Sequence, residues 1–116
     1  MKKIIVYGAG EFGTLIANVI SYIEKYTIGA YGDDDPIKSG TFIDGLPVYG
    51  QEDLLNFAKK NNINIAISAI GNNKVRGEKY YLLKENGFNM ISIVHPKALI
   101  DTNVSFGENV IIEMGT

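Results

Sequence analysis

The sequence predicts a three-layer α/β domain on a parallel sheet over residues 1–95, followed over residues 96–116 by the start of a left-handed parallel β-helix. Three observations carry that expectation. Short β-branched runs alternate with amphipathic stretches of about ten to fourteen residues, the texture of strand–helix–strand crossovers. A glycine-rich segment, Gly8-Ala9-Gly10-Glu11-Phe12-Gly13, joins the first strand to the first helix, which makes the domain Rossmann-like. After His95-Pro96 the apolar period changes: Ala98, Val104 and Val110 recur every six residues, as do Ile100, Phe106 and Ile112.

The first strand is Lys3 to Tyr7, apolar enough to be buried on both faces. Beyond it Phe12, Leu15, Ile16, Val19, Ile20 and Ile23 fall on one helical face, so the first helix packs on the sheet. Tyr26 to Tyr31 reads as a second strand, ended by Gly32-Asp33-Asp34-Asp35-Pro36, where acidic turn formers and proline stop a central strand. Gly45-Leu46-Pro47-Val48-Tyr49-Gly50 is a short extended piece, and a helix follows through Asp53, Leu54, Leu55, Phe57 and Ala58 until Asn61-Asn62. Ile63 to Ile70 is a strand, Gly71-Asn72-Asn73 a turn, Lys74 to Asn86 a helix with Gly87 as its C-terminal cap, and Met90 to Val94 the last strand. The six-residue repeats then wind a β-helix of three hexads per coil. Since stacked units of that kind need ~3 or more repeats to bury their faces, the expectation is that the chain ends partway through a longer protein.

Composition narrows the function. With 116 residues and 46% hydrophobic content there is one ordinary core and no room for two. A net charge of −2 provides no basic field for nucleic acid, so any anion must be held locally. The chain has no cysteine, which removes disulfides, thiolate metal sites and cysteine nucleophiles and fits a reducing compartment. Met1-Lys2-Lys3 begins like a signal peptide, but glycines interrupt the apolar run after Tyr7. No stretch approaches the ~20 apolar residues of a membrane span. A soluble, cytoplasmic domain without metal is expected.

Gly8, Gly10 and Gly13 sit where a phosphate loop needs them. Gly8 permits the tight turn, Gly10 lets a pyrophosphate approach the backbone, and Gly13 lets helix and strand pack closely, while the helix N-terminus supplies free N–H groups. Asp33 lies about twenty residues further on, at the tip of the second strand, where an acid accepts ribose hydroxyls. The same carboxylates could accept the N3–H of a uracil, and three adjacent acids repel the 2′-phosphate of NADP. Lys74 and Arg76 open a helix against its dipole, which an anion nearby would repair, and Gly71, Asn72 and Asn73 add free backbone and amides at the ligand-binding edge of the sheet. His95 is the only histidine, reads as a linker residue before Pro96, and leaves no metal pair; Tyr80 and Tyr81 read as helix surface and core rather than catalytic acids.

These motifs together, in order, with Glu85-Asn86-Gly87-Phe88 and His95-Pro96-Lys97-Ala98-Leu99-Ile100, resemble the bacterial sugar-nucleotide acetyltransferases of the sialic acid O-acetyltransferase and bacillosamine-pathway type. The resemblance runs over essentially the whole chain. It implies a UDP-sugar-binding N-terminal domain whose parent, a homotrimer, binds acetyl-CoA on its β-helix and N-acetylates a UDP-amino-sugar or O-acetylates a sugar, with a β-helix histidine as general base. It assigns Gly10, Glu11 and Phe12 to the diphosphate and sugar side, Asp33 and Asp34 to the uridine end, and Gly71 to the wall, with Asn72, Asn73 and Arg76 close by. Many relatives carry a small residue, glycine and histidine where this chain has Gly10-Glu11-Phe12. The catalytic histidine and the acetyl-CoA groove have no counterpart before Thr116, so no catalytic residue is expected in this chain.

A second resemblance covers the first half only. The N-terminal domains of membrane-bound nucleotide-sugar dehydratases and glycan-initiating transferases share the glycine loop, the Asp-Asp-Asp-Pro turn and the Gly-Leu-Pro-Val-x-Gly piece, but lack the hexapeptide tail. Two other classes fit the loop: an NAD-binding redox domain and a non-enzymatic nucleotide-binding module.

Overall fold

The computed structural model describes residues 2–21, 25–91, 93–94 and 111–112. The elements run β1 (Lys2–Tyr7), α1 (Glu11–Ser21), β2 (Tyr26–Gly32), β3 (Phe42–Ile43), β4 (Leu46–Tyr49), α2 (Gln51–Lys60), β5 (Ile65–Ser68), α3 (Asn73–Glu85), β6 (Asn89–Met90), β7 (Ile93–Val94) and β8 (Ile111–Ile112). The main sheet has the order β3-β4-β2-β1-β5-β6. Its pairings are parallel except β3 with β4. From β1 the chain moves outward through β2 to β4, then crosses back to β5 on the other side. The order therefore reverses between β1 and β5, which opens a crevice at their C-terminal ends.

Alternation in β1 builds the three layers. Ile4 and Val6 join Ile16, Val19 and Ile20 of α1 in one core cluster, whereas Ile5 and Tyr7 join Leu54 and Ala58 of α2 and Leu83 of α3 in the other. Helices thus cover both faces of the sheet, and β1 is buried on both sides as its composition requires. Against β2 the register slips by one residue between Ile4 and Ile5, so Ile4 faces Ile28 while Ile5 faces Ala30, with Gly29 bulged out.

The expected α/β architecture holds, with three local corrections. A two-stranded hairpin, Phe42–Ile43 with Leu46–Tyr49, precedes α2; its two-residue loop, Asp44-Gly45, has φ of 49° and 80°, the positive values a type I′ turn demands. The run Met90 to Val94 is not one strand: β6 closes the main sheet, while β7 pairs in parallel with β8 in a separate sheet. Leu15, expected on the packing face of α1, is 41% exposed and faces a cleft along that helix. The cap of α3 is as expected, since Gly87 takes φ 89°, its N–H reaches the Lys84 carbonyl and that of Phe88 reaches Leu83. His95 and the hexapeptide texture lie outside the described residues, apart from Ile111–Ile112. Among the described residues no helix is long and apolar enough to cross a membrane, and no group of acidic or histidine side chains could hold a metal ion.

Candidate functional site

The loop after β1 is shaped by backbone contacts that only glycine allows. Gly8 has φ 127° and donates its N–H to the Gly32 carbonyl at 2.6 Å, and a Cβ there would run into the Ala69 carbonyl at the end of β5. At Gly13 a Cβ would strike the Gly8 carbonyl, so α1 rests directly on the loop. The helix starts where the Thr14 N–H reaches the Gly10 carbonyl at 3.0 Å. Helix geometry leaves the N–H groups of its first turn without intrahelical partners, aimed over Gly10.

The acidic turn after β2 is tied to this loop. Asp33 accepts the Ala9 N–H on Oδ2 and the Asp35 N–H on Oδ1, both at 2.9 Å. Its carboxylate therefore fixes the loop to the turn, a role its sequence spacing did not reveal. Asp34 accepts the Tyr7 hydroxyl on Oδ1 and an ion pair from Lys79 at 2.8 Å on Oδ2. Lys79 lies 5.0 Å above the Tyr7 ring and donates to Gln51 Oε1 at 2.9 Å. One polar chain thus joins β1, the acidic turn, α2 and α3.

Burial raises the Tyr7 phenol well above its ordinary range, helped by the Asp34 hydrogen bond and by the charges of Asp34 and Asp33. For Asp34, burial is the largest single effect and pushes upward. The hydrogen bonds from Lys79 and Tyr7 and the Lys79 charge together outweigh it, and the carboxyl lies below its ordinary value.

Between β1 and β5, a cleft of about 500 Å³ opens at the reversal point. Of the expected site residues it gathers Gly8, Gly10, Glu11, Phe12, Asp33, Asp34 and Gly71. Gly13 lies buried beneath it as the packing glycine. Asn72, Asn73 and Arg76 stand outside the wall: Asn72 caps α3, accepting from the Lys74 and Val75 N–H groups at 3.0 and 3.1 Å, and Arg76 donates to Asn73 at 2.7 Å. The Arg76 guanidinium reaches the cleft only through Phe12, whose ring it covers at 5.8 Å. It has partners without an anion, contrary to the expectation from its place in the helix. Tyr7, Lys38, Ala69, Ile70 and Val75 complete the described lining without having been expected there. A larger open groove of about 700 Å³ lies where β5 begins and α2 and α3 end, beside Asn62, Asn64 and Phe88. That is the opposite edge of the sheet from the one where such folds bind ligands.

Parallel topology, a glycine cradle at the reversal point and an acidic turn beside it define a doubly wound domain of the nucleotide-binding class. The sequence model of the PglD N-terminal domain matches residues 3–83, and the chain belongs to that family. Its fold is shared by a mutant perosamine N-acetyltransferase from Caulobacter crescentus, solved in complex with CoA and GDP-perosamine. There the TM-score is 0.86 at 23% identity, over 99% of this chain and 53% of that one. The acetyltransferase domain of PglB from Neisseria gonorrhoeae FA1090, in complex with acetyl coenzyme A, gives 0.76 at 26% identity over 97% and 53%. The redox-sensing transcriptional repressor Rex of Caldicellulosiruptor saccharolyticus is 29% identical over 86 residues, which is 73% of this chain and 39% of Rex. The chain spans about half the length of those acetyltransferases.

Proposed function

We propose that this domain holds a nucleoside-diphosphate sugar, with a UDP-amino-sugar the first candidate, for an acetyl-CoA-dependent acetyltransferase of bacterial glycan synthesis. The observation that carries the reading is the placement of the Gly8–Gly13 cradle and the Asp33-Asp34 turn on one cleft, in a member of the PglD N-terminal domain family. Gly10 lets the diphosphate reach the free N–H groups of α1. Glu11 and Phe12 face the sugar side, Asp33 and Asp34 the nucleoside, and Gly71 the opposite wall. Asn72, Asn73 and Arg76 act from outside the wall, Arg76 by holding Phe12. That the Caulobacter structure contains GDP-perosamine and CoA supports a sugar nucleotide as the ligand class.

In this reading these residues bind and orient the sugar nucleotide. Acetyl-CoA, where the intact enzyme binds it, supplies the acetyl group to a sugar amine or hydroxyl. A cytoplasmic homotrimer is the assembly proposed for that enzyme.

The second reading, an NAD-binding domain, is favoured by the likeness to RSP, a Rex-family repressor solved in complex with beta-NADH, with a TM-score of 0.66 at 26% identity. Asp33 does not separate the two, since each of its oxygens accepts one backbone N–H and keeps a lone pair for a ribose hydroxyl. Calorimetric titration with UDP, a UDP-amino-sugar, a GDP-sugar and NAD separates the two. We expect saturable heat with a nucleoside-diphosphate sugar; tight NAD binding with no response to the sugar nucleotides would overturn the proposal.

A further inference from the structure

We propose that Lys38 is the cation that binds the diphosphate, a specificity-determining residue for ligands carrying phosphate charge; this rests on the sugar-nucleotide reading above. Its ammonium lies 3.4 Å from the point a Cβ on Gly10 would occupy, directly over the glycine loop. It stands on the ridge between two clefts, lining both the one at the β1/β5 crevice and the one that runs along α1.

Charge explains why the site needs it. Glu11, Asp33 and Asp34 line the crevice, and Lys38 is the one cationic side chain among its described lining residues. A diphosphate brought against three carboxylates is repelled unless a cation accompanies it. Two other cations near the crevice are engaged: Lys79 with Asp34 at 2.8 Å and with Gln51, Arg76 with Asn73 and the Phe12 ring. The ion pair of Lys38 is a long one, 4.0 Å to Asp33 Oδ2, with the lysine side chain 41% exposed.

Its backbone, by contrast, is fixed. The Lys38 N–H donates to the Asp35 carbonyl at 3.0 Å, its own carbonyl accepts the Thr41 N–H at 3.1 Å, and Asp35 Oδ1 accepts the Ile37 N–H at 3.0 Å. A fixed base under a loosely paired ammonium, aimed over backbone that leaves room for an anion, is the arrangement of a phosphate lysine. When the phosphate enters, the ammonium exchanges the distant Asp33 carboxylate for a phosphate oxygen.

The test titrates wild type, Lys38→Met, Lys38→Gln and Lys38→Arg with uridine, UDP and GDP. Lys38→Met keeps the apolar stem and removes the charge. We expect Lys38→Met and Lys38→Gln to weaken the nucleoside diphosphate that binds by on the order of tenfold or more, to leave uridine within about twofold, and Lys38→Arg to restore most of the loss. Wild-type affinity should also fall with added salt more steeply than that of Lys38→Met. If wild type binds a nucleoside diphosphate and both neutral variants bind it equally well, the assignment of Lys38 falls while the site stands. Equal weakening of uridine and the diphosphate marks a structural role and also overturns it. If wild type binds neither UDP nor GDP, the sugar-nucleotide reading fails, and this proposal with it.

Discussion

Replacing Gly13 by alanine sets a methyl group against the Gly8 carbonyl. The new Cβ would lie 2.8 Å from the Gly8 carbonyl carbon and nearer still to its oxygen, inside the 3.0 Å that real Cβ contacts respect. The obstruction is backbone, so no rotamer can yield, and α1 must retreat from the loop by on the order of 1 Å. Overpacking costs about 1–3 kcal/mol, and a clash with fixed backbone belongs at the upper end. Alanine recovers about 0.5–1 kcal/mol through helix propensity, leaving a net loss of about 2 kcal/mol. Urea unfolding followed by far-UV circular dichroism reads this directly: at a slope of about 2 kcal/mol per molar urea, the midpoint falls by about 1 M. Gly77, inside α3, has nothing within 4 Å of its Cβ position. Gly77→Ala should therefore gain the propensity without the clash and raise the midpoint by about 0.3–0.5 M. A Gly13→Ala midpoint equal to or above wild type would refute the packing argument.

Asp33→Ala removes the acceptor of two backbone N–H groups and should lower stability by about 1.5–3 kcal/mol in the same assay; a loss under about 0.5 kcal/mol would deny that Asp33 pins the loop. Asp34 has its carboxyl below the ordinary value, so its contribution is present above the unfolded pKa near 4 and disappears as pH falls through the folded one. The stability gap between wild type and Asp34→Asn should therefore close below about pH 4, and a gap that stays constant from neutral to acid would contradict the ion pair with Lys79. Tyr7 is shifted upward, which makes its contribution complete below the unfolded pKa near 10 and lost as pH rises beyond it. Tyr7→Phe should flatten the alkaline decline in stability, and an unaltered decline would mean that another group titrates there.

The loop was legible because each of its glycines answers a steric demand that survives in the sequence: a turn at Gly8, an open approach at Gly10, a helix contact at Gly13. The layers were legible from β1, where every residue from Ile4 to Tyr7 is apolar and must be buried on both faces. What sequence could not supply was pairing at a distance. Met90 to Val94 reads as one run, yet β6 lies against β5 and β7 against β8, a change of partner that local propensity does not encode. The hairpin at Asp44-Gly45 left its signal in the Asp-Gly dipeptide, but β3 is two residues long and too short for alternation to show. Lys38, Lys79 and Gln51 belong to no motif, and only the packing of turn, α2 and α3 brings them to the site. Arg76 was expected to want an anion because of its helix position; the fold gives it Asn73 and Phe12 instead.

The central claim is that the cradle between β1 and β5 receives a nucleoside-diphosphate sugar. Backbone amide chemical shifts of the isotopically labelled protein, followed while a UDP-amino-sugar is added, test it at the level of single residues. The account predicts saturable shifts centred on Gly10, Glu11, Phe12 and Gly71. Shifts that instead gather at Asn62, Gly87 and Phe88, or a Gly10–Phe12 segment unmoved at saturating ligand, would contradict it.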